Sequence, residues 1–255
     1  MNLQMDTAIA ASCKSPSRIS GVISEHWASK EMYCCACPSS FLTPSPINNP
    51  AFDFVCPVCQ REYQIKAKKS PIASRIVDGD HKKMSDRIIG GSAPNLLLLQ
   101  YVPQTWTVQN LLLIPSFFFT LSALEKRKPL GPNADRANWV GCNILLSAIA
   151  STGRLNIVTN GTSSDPKSVR DWYRRVMPLE SIPLTKRGWA LDVLRLVQTL
   201  NKREFTINDA YMFEPEMAGL YPNNHNVQAK IRQQLQVLRD SGLLEFVSRG
   251  RYRLL

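Results

Sequence analysis

The sequence has no uninterrupted apolar run long enough to cross a membrane. Its two most apolar stretches, Asn95 to Val102 and Val108 to Leu121, are bounded or broken by prolines and amides, and neither reaches the roughly 18 residues that a membrane helix needs. A secretory signal is also missing, since Met1 to Ala11 contains Asp6 and no Lys or Arg. We therefore expect an intracellular, cytoplasmic protein with no membrane partner, and we interpret the apolar stretches as buried strands.

The sequence also contains no internal repeat and no surplus of acidic residues. The 255-residue chain has 31 Lys and Arg against 20 Asp and Glu, a formal net charge of +11. Such a surplus favours a polyanionic partner, either nucleic acid or anionic lipid, because clustered basic groups displace counterions. With 44% hydrophobic and 20% charged residues, the composition is that of a globular protein and not of a disordered or fibrous one.

The seven cysteines favour a metal site over disulfides, because thiols stay reduced inside cells. Four of them form two pairs 18 residues apart, with zinc-ribbon spacing: Cys34-x2-Cys37 and Cys56-x2-Cys59. Four thiolates complete a tetrahedral shell and leave no position for water, so the predicted zinc is structural. Cys35 could shift the first pair by one register, whereas Cys13 and Cys142 have no partner pattern and are interpreted as packing residues.

Hydrophobic periodicity predicts a mixed α/β core. We expect a helix over Ser17 to Tyr33, a loop over Ser39 to Pro50 and a basic helix over Ile72 to Ile89. A hairpin is predicted from Ala51 to Val55 and from Arg61 to Lys68, where apolar and polar residues alternate strictly. Further core segments are expected at Ile144 to Ile149 and Arg154 to Val158.

A domain boundary is expected near residue 181, after a polar segment and before Pro183. The tail has three stretches with helical period, followed by a hairpin that turns at Ser248-Arg249-Gly250. The stretches are Lys186 to Leu200, Ile207 to Met217 and Asn226 to Asp240, and the hairpin strands are Leu243 to Val247 and Arg251 to Leu255. This order is typical of a winged helix-turn-helix, so we expect a domain over 1–181 and a small winged-helix domain over 182–255.

A candidate active site lies around the second cysteine pair. Asp53 precedes that pair, and Gln64-Ile65-Lys66 follows eleven residues after Asp53 on the second hairpin strand. Asp53, the Gln64 oxygen and the Ile65 carbonyl could hold Mg²⁺ against a phosphate, while Lys66, on the same strand face as Gln64, could orient or activate the attacking water. Glu62 shares that face and is a fallback ligand; the alternative is an ordinary solvated strand face.

The third helix of the tail offers a second candidate surface. Val227, Ile231, Leu235 and Leu238 form its apolar stripe. Arg and Gln side chains, which suit guanine and adenine edges, lie beside the stripe, and the wing adds arginines that could grip phosphates. The candidate DNA-binding residues on this helix are Gln228, Arg232, Gln233, Gln236 and Arg239, and those on the wing are Arg249, Arg251 and Arg253. For any one of these residues, a solvated face is the alternative.

Blocks of sequence in both halves resemble the DpnI-like restriction endonucleases over nearly the whole chain. In the first part they are Tyr33-Cys34, Cys37, Asp53-Phe54, Cys56, Cys59, Lys66 and Lys68-Lys69. Later blocks are Arg127-Lys128-Pro129-Leu130, Trp139, Gly141-Cys142-Asn143-Ile144, Arg187-Gly188-Trp189, Lys230-Ile231-Arg232-Gln233-Gln234-Leu235-Gln236 and Leu238-Arg239-Asp240.

The resemblance implies an α/β (α+β) nuclease core of the PD-(D/E)xK superfamily with a zinc-ribbon insertion, followed by the winged helix. It implies a Mg²⁺-dependent type IIM enzyme of prokaryotic restriction systems that cuts duplex DNA at G-A-T-C when the adenines carry an N6-methyl group. Trp139 would lie near that methyladenine; the alternative is a core tryptophan. One departure is Gln64, where the family has Glu, and it implies weaker Mg²⁺ binding.

Two other functions stay open from the sequence. One is a non-enzymatic zinc-ribbon and winged-helix regulator that reads methylated DNA, with Asp53 and Lys66 as surface residues. The other keeps the nuclease but assigns a different modified base or a longer site. We expect a monomer in solution. On DNA two modes stay open: one copy could cut each strand in turn, or two copies could pair on the palindrome.

Overall fold

The computed structural model describes residues 1–46 and 52–255, so the first residue of the predicted hairpin and the end of the predicted loop before it lie outside the described residues. Its helices are α1 (Pro16–Glu31), α2 (His81–Ile89), α3 (Pro166–Val176), α4 (Leu184–Thr199), α5 (Ile207–Tyr211), α6 (Glu214–Leu220) and α7 (Val227–Asp240). Its strands are β1 (Thr43–Pro44), β2 (Phe54–Val55), β3 (Glu62–Lys68), β4 (Arg75–Asp80), β5 (Asn95–Val102), β6 (Thr107–Ile114), β7 (Leu124–Lys126), β8 (Gly141–Leu145), β9 (Leu155–Thr159), β10 (Thr162–Ser163), β11 (Glu204–Thr206), β12 (Leu244–Ser248) and β13 (Arg251–Leu254). The predicted mixed α/β class is confirmed. Across these two ranges, no helix combines the length and apolarity that crossing a membrane requires.

The chain forms two compact units, each assembled from separate stretches of sequence. The first unit consists of Met1–Ala73, Ala93–Ser116 and Arg154–Arg174. The second consists of Ser74–Ser92, Phe117–Gly153 and Arg175–Leu255. Residues distant in sequence therefore meet within each unit.

A mixed sheet forms the core of the first unit. Over the described ranges its strand order is β1-β2-β3-β5-β6-β9-β10. Strands β3 and β5 are parallel, with Lys66 opposite Leu98, and the other pairs are antiparallel. Leu97, Leu99 and Leu111 in the central strands are fully buried, as expected where both faces of a sheet are covered. The predicted buried strand at β5 is confirmed.

The strand predicted over Val108 to Leu121 is confirmed only as far as Ile114. Pro115 has no backbone N–H for a sheet ladder, so the strand ends there. The chain continues through two short 3₁₀ helices, Ser116–Phe118 and Leu121–Ala123. The three phenylalanines in this stretch are buried. The sequence therefore has the continuous apolar pattern of a buried strand, although the chain here forms short helices.

Helix α1 begins where its sequence provides both start signals. The Ser15 hydroxyl accepts a hydrogen bond from the backbone N–H of Arg18 at 3.3 Å, and Pro16 occupies the first turn. The helix packs against β3 and buries Ile23 and Trp27. The predicted helix over 17–33 is therefore confirmed, and it leads directly to the first cysteine pair.

The basic helix predicted over Ile72 to Ile89 is wrong over its first half. Residues 75–80 form β4, which pairs with β8 and buries Ile76 and Asp78 in alternation. The helix begins only at His81, because the Asp80 carboxylate accepts a hydrogen bond from the backbone N–H of Lys83 at 2.9 Å. The sheet order β4-β8-β7 places this segment in the second unit.

The tail folds as the predicted helices and wing, with two differences. The helix predicted over Ile207 to Met217 is two helices, α5 and α6, because Pro215 starts a new helix at its first turn. Strand β11 was not predicted; it is three residues long and pairs with β13, giving the order β11-β13-β12. The terminal hairpin is confirmed, and Gly250 in its turn has φ of +71°.

Candidate functional site

The four paired cysteines converge on one point in the first unit. The sulfur atoms of Cys34, Cys37, Cys56 and Cys59 all lie within 4.8 Å of one another. Cys34 and Cys59 are 3.5 Å apart, and so are Cys37 and Cys56. Zinc–thiolate bonds of about 2.3 Å in a tetrahedron require sulfur separations just under about 4 Å. The cluster could therefore hold a zinc ion, and Cys35 lies outside it.

The surroundings of the cluster favour the thiolate form at one ligand. Burial opposes ionisation of Cys56, but hydrogen bonds from the backbone N–H groups of Cys59 and Val58, together with those from the side chains of Cys37 and Cys59, outweigh it and lower the pKa of Cys56 to about 7. Burial raises the pKa of Cys34. A zinc ion would draw all four groups to the thiolate form, since only the thiolate is a ligand.

Tyr63 connects the cysteine cluster to strand β3. Its side chain is fully buried, and its hydroxyl lies 3.3 Å from the Cys34 sulfur. The same hydroxyl accepts a hydrogen bond from the backbone N–H of Cys35 at 3.2 Å. Because side chains alternate along a strand, Tyr63 faces the cysteines while Gln64 occupies the opposite face.

The substitution Tyr63→Phe is expected to accelerate zinc loss while the protein stays folded. Removal of the hydroxyl leaves a buried backbone N–H without its acceptor, a cost of about 1–3 kcal/mol, which corresponds to zinc release about fivefold to a hundredfold faster. Zinc transfer to a colorimetric chelator measures the rate. Tyr33→Phe is the matched control, because within the described residues the buried Tyr33 hydroxyl has no hydrogen-bond partner. Equal rates from both variants would contradict the prediction.

The carboxylate of Asp53 is held against the strand that carries the other candidate catalytic residues. Its backbone N–H donates to the Tyr63 carbonyl at 2.9 Å, and its Oδ2 accepts from the backbone N–H of Ile65 at 2.7 Å. The carboxylate therefore lies beside Gln64-Ile65-Lys66. Burial raises the pKa of Asp53, and the Ile65 hydrogen bond and the Lys66 charge oppose this only in part. Gln64 and Lys66 are half-buried.

A cavity of about 640 Å³ opens at Asp53 in the first unit. One wall is the β1–β2 region, and the other is a face of helix α1. The helix contributes Arg18, Val22, Glu25, His26 and Ser29. Sequence reasoning missed this face, although its residues recur every three or four positions, which places them on one side of a helix. Gln64 and Lys66 are not part of the described lining.

Trp139 lies in the second unit, on a loop that joins β7 to β8. The residue is half-buried, and its carbonyl accepts a hydrogen bond from the backbone N–H of Leu130 at 2.9 Å. A Cβ atom on Gly141 would lie 2.8 Å from the Trp139 ring, so the ring rests against backbone that only glycine leaves open. The Arg127 guanidinium borders the same spot. Asp53 belongs to the other unit.

The winged helix gathers part of the predicted DNA-binding set around one cavity of about 570 Å³. The polar residues that line it are Arg232, Gln236, Arg239 and Arg249, and its aromatic floor is Tyr211, Phe246 and Tyr252. Sequence reasoning missed the aromatic floor because its members come from three different elements. Burial raises the pKa of Tyr252, while the nearby charges of Arg232 and Arg239 oppose that shift. The apolar stripe of α7 is buried, as predicted.

The other predicted DNA-binding residues, which are Gln228, Gln233, Arg251 and Arg253, do not line this cavity. Gln228 donates to Glu214 at 2.6 Å, and Gln233 accepts from Gln234 at 3.3 Å. Arg251 lines a smaller pocket on the β11 side of the wing. The guanidinium of Arg253 is bound between Glu204 and Glu245, at 2.7 and 2.9 Å, so this arginine serves the wing sheet.

Comparison with known protein families agrees with these features over both parts of the chain. The family model described as DpnI, Dam-replacing family, matches residues 1–182. A second, described as the Dam-replacing HTH domain, matches residues 185–254, the region that contains α4 to α7 and the wing. The first match alone covers more than two thirds of the chain. The chain therefore belongs to the DpnI, Dam-replacing family, and this membership implies a methylation-dependent restriction endonuclease that binds DNA through its winged helix.

Proposed function

We propose that this chain is a type IIM restriction endonuclease, with a PD-(D/E)xK catalytic centre, that hydrolyses duplex DNA at G-A-T-C sites carrying N6-methyladenine. The observation that carries the proposal is the hydrogen bond between the Asp53 carboxylate and the backbone N–H of Ile65, which holds the acid beside Gln64 and Lys66. In a chain of this family, that arrangement supports hydrolysis of a phosphodiester.

The donor atoms of this site suit Mg²⁺. Asp53 offers a carboxylate, Gln64 an amide oxygen and Ile65 a backbone carbonyl, and magnesium prefers such oxygen ligands together with substrate phosphate. A bound Mg²⁺ would neutralise charge on the scissile phosphate and lower the pKa of the attacking water. One oxygen of the Asp53 carboxylate accepts a hydrogen bond from the backbone N–H of Ile65. Because this bond fixes the orientation of the carboxylate, it also fixes the position of the second oxygen.

The side chains of this site would divide the work of hydrolysis. Asp53 would hold the metal, and its hydrogen bond with Ile65 ties it to β3. Lys66, in its charged form, would donate hydrogen bonds that orient the attacking water in line with the phosphorus. Burial has the larger effect and raises the pKa of Asp53, while the Lys66 charge opposes that shift, which supports a role for the amine beside the acid. The cysteine cluster would keep the turn rigid, acting on the site through Tyr63.

Recognition of the methyl group requires an apolar surface, because an N6-methyl group adds no hydrogen-bonding atom. We propose Trp139, seated against Gly141, as that surface in the nuclease domain. On the winged helix, Arg232 and Gln236 would read base edges in the major groove, with Arg249 contacting phosphate. The proposed domains are 1–181 for cleavage and 182–255 for reading, and the proposed partner is methylated duplex DNA bound by a monomer.

The test is digestion of one plasmid, prepared with and without adenine methylation at G-A-T-C, in the presence of Mg²⁺. We expect fragments only from the methylated plasmid, no cleavage when a chelator replaces Mg²⁺, and cut ends that map to G-A-T-C. Cleavage of both plasmids alike would remove the methyl-specific claim. Fragments ending elsewhere would assign another modified base or a longer site.

A second function is favoured by one residue. Gln64 is neutral where the family has an acid, which leaves Asp53 as the carboxylate among the three predicted catalytic residues. A regulator that reads methylated DNA without cutting it would need no further carboxylate at this place. It predicts that the methylated plasmid is bound but stays intact, and that an Asp53→Ala variant behaves as the wild type does.

A further inference from the structure

Resting on the proposed function, we propose that Glu25 of helix α1 supplies the second carboxylate of the magnesium site, the charge that Gln64 lacks. Glu25 and Asp53 line the same cavity of about 640 Å³, one from the helix and one from the edge of the β2–β3 hairpin. Helix α1 packs directly on β3, the strand that carries Gln64 and Lys66.

The charges around Asp53 show why a second carboxylate is needed. Asp53 is negative, Gln64 is neutral and Lys66 is positive, so these three side chains together carry no net charge toward a divalent cation. One Asp53 oxygen is also engaged by the Ile65 N–H. A carboxylate contributed by Glu25 restores a net negative charge, and magnesium in proteins is commonly held by one or two carboxylates.

The electrostatics of Glu25 agree with this placement. Burial raises its pKa, the negative charge of Asp53 raises it further, and the nearby Arg18 opposes the shift. Two acids that repel each other across one cavity are the arrangement that a cation relieves. The side chain sits one helical turn beyond Gly21, with Oε1 about 3.7 Å from the place of a Cβ there, so no larger residue crowds it on that side.

Glu62 is the competing carboxylate, since it shares a strand face with Gln64 and Lys66. Within the described residues, the cavity at Asp53 is lined by Glu25 and not by Glu62. The geometry therefore assigns the role to the helix.

The experiment measures Mn²⁺ binding to the zinc-loaded full chain by electron paramagnetic resonance, with Mg²⁺-dependent plasmid cleavage as the second readout. Glu25→Gln is expected to weaken Mn²⁺ binding by about tenfold to a hundredfold, the range for loss of a group that supports a metal site. Gln64→Glu is expected to tighten binding, and the double variant Glu25→Gln with Gln64→Glu to return close to the wild-type value.

Two matched neutralisations serve as controls. Asp171→Asn removes an exposed acid of the same unit that is ion-paired on α3, and it should leave binding unchanged. Glu62→Gln tests the competing ligand. Loss of Mn²⁺ binding in Glu62→Gln but not in Glu25→Gln overturns the inference, and so does equal binding by Glu25→Gln and Asp171→Asn. Wild-type protein that neither binds Mn²⁺ nor cuts methylated DNA overturns the proposed function instead.

Discussion

Asp53→Asn is expected to lower cleavage of methylated DNA by about 10³-fold or more while leaving DNA binding within about twofold of the wild type. Among the residues Asp53, Gln64 and Lys66, only Asp53 bears a negative charge that would hold Mg²⁺, and loss of a metal's charge stabilisation costs several kcal/mol in the transition state. The asparagine oxygen can still accept from the Ile65 N–H, the contact now made at 2.7 Å. The hairpin should therefore keep its register, and the loss should be one of charge.

Two measurements separate catalysis from binding in this variant. Single-turnover cleavage of a methylated duplex gives the rate, and fluorescence anisotropy of the same duplex with Ca²⁺ in place of Mg²⁺ gives the affinity. Asp171→Asn, a neutralisation in the same unit, should match the wild type in both. Cleavage by Asp53→Asn within tenfold of the wild type would remove Asp53 from the catalytic centre. Parallel loss of rate and affinity would make its role structural.

The local chemistry of the cysteines and of β3 could be predicted from the sequence because it depends on short spacings. A CxxC pair has few ways to bind a metal, so the two pairs predict the cluster that the structure contains. Strict alternation from Arg61 to Lys68 likewise predicts a strand with Gln64 and Lys66 on one face. Both signals are complete within a few residues.

Features that depend on distant contacts could not be predicted in this way. Residues 75–80 contain charges that suit a solvent-exposed helix, but pairing with β8 makes them a strand. The face of α1 that meets Asp53 has a helical period in the sequence, yet nothing local indicates which strand it packs on. The same holds for the aromatic floor of the winged-helix cavity, which combines a residue of α5 with two of the wing.

Removal of zinc is expected to destabilise the first unit and, as a consequence, to abolish cleavage. The cluster joins the end of α1 to the β2–β3 turn, and Tyr63 joins it to the middle of the sheet. The Arg170 guanidinium of α3 adds hydrogen bonds to the carbonyls of Cys34 and Ser39, at 3.1 and 2.9 Å. Structural zinc contributes on the order of 10 kcal/mol to small metal-stabilised folds, so a melting temperature lower by at least about 10 °C is expected.

Calorimetric melting before and after treatment with a strong chelator, followed by addition of zinc, measures this effect. Cys34→Ser should reproduce the chelated state, because it removes one of the four sulfurs and also the atom that contacts Tyr63. Cys13→Ser is the matched control, since this half-buried cysteine lies outside the cluster. If chelated protein melts and cuts as the untreated protein does, the cysteines do not hold the β2–β3 turn. The alignment of Asp53 with Ile65 must then come from the sheet alone, because the hydrogen bond between them would persist in a metal-free hairpin.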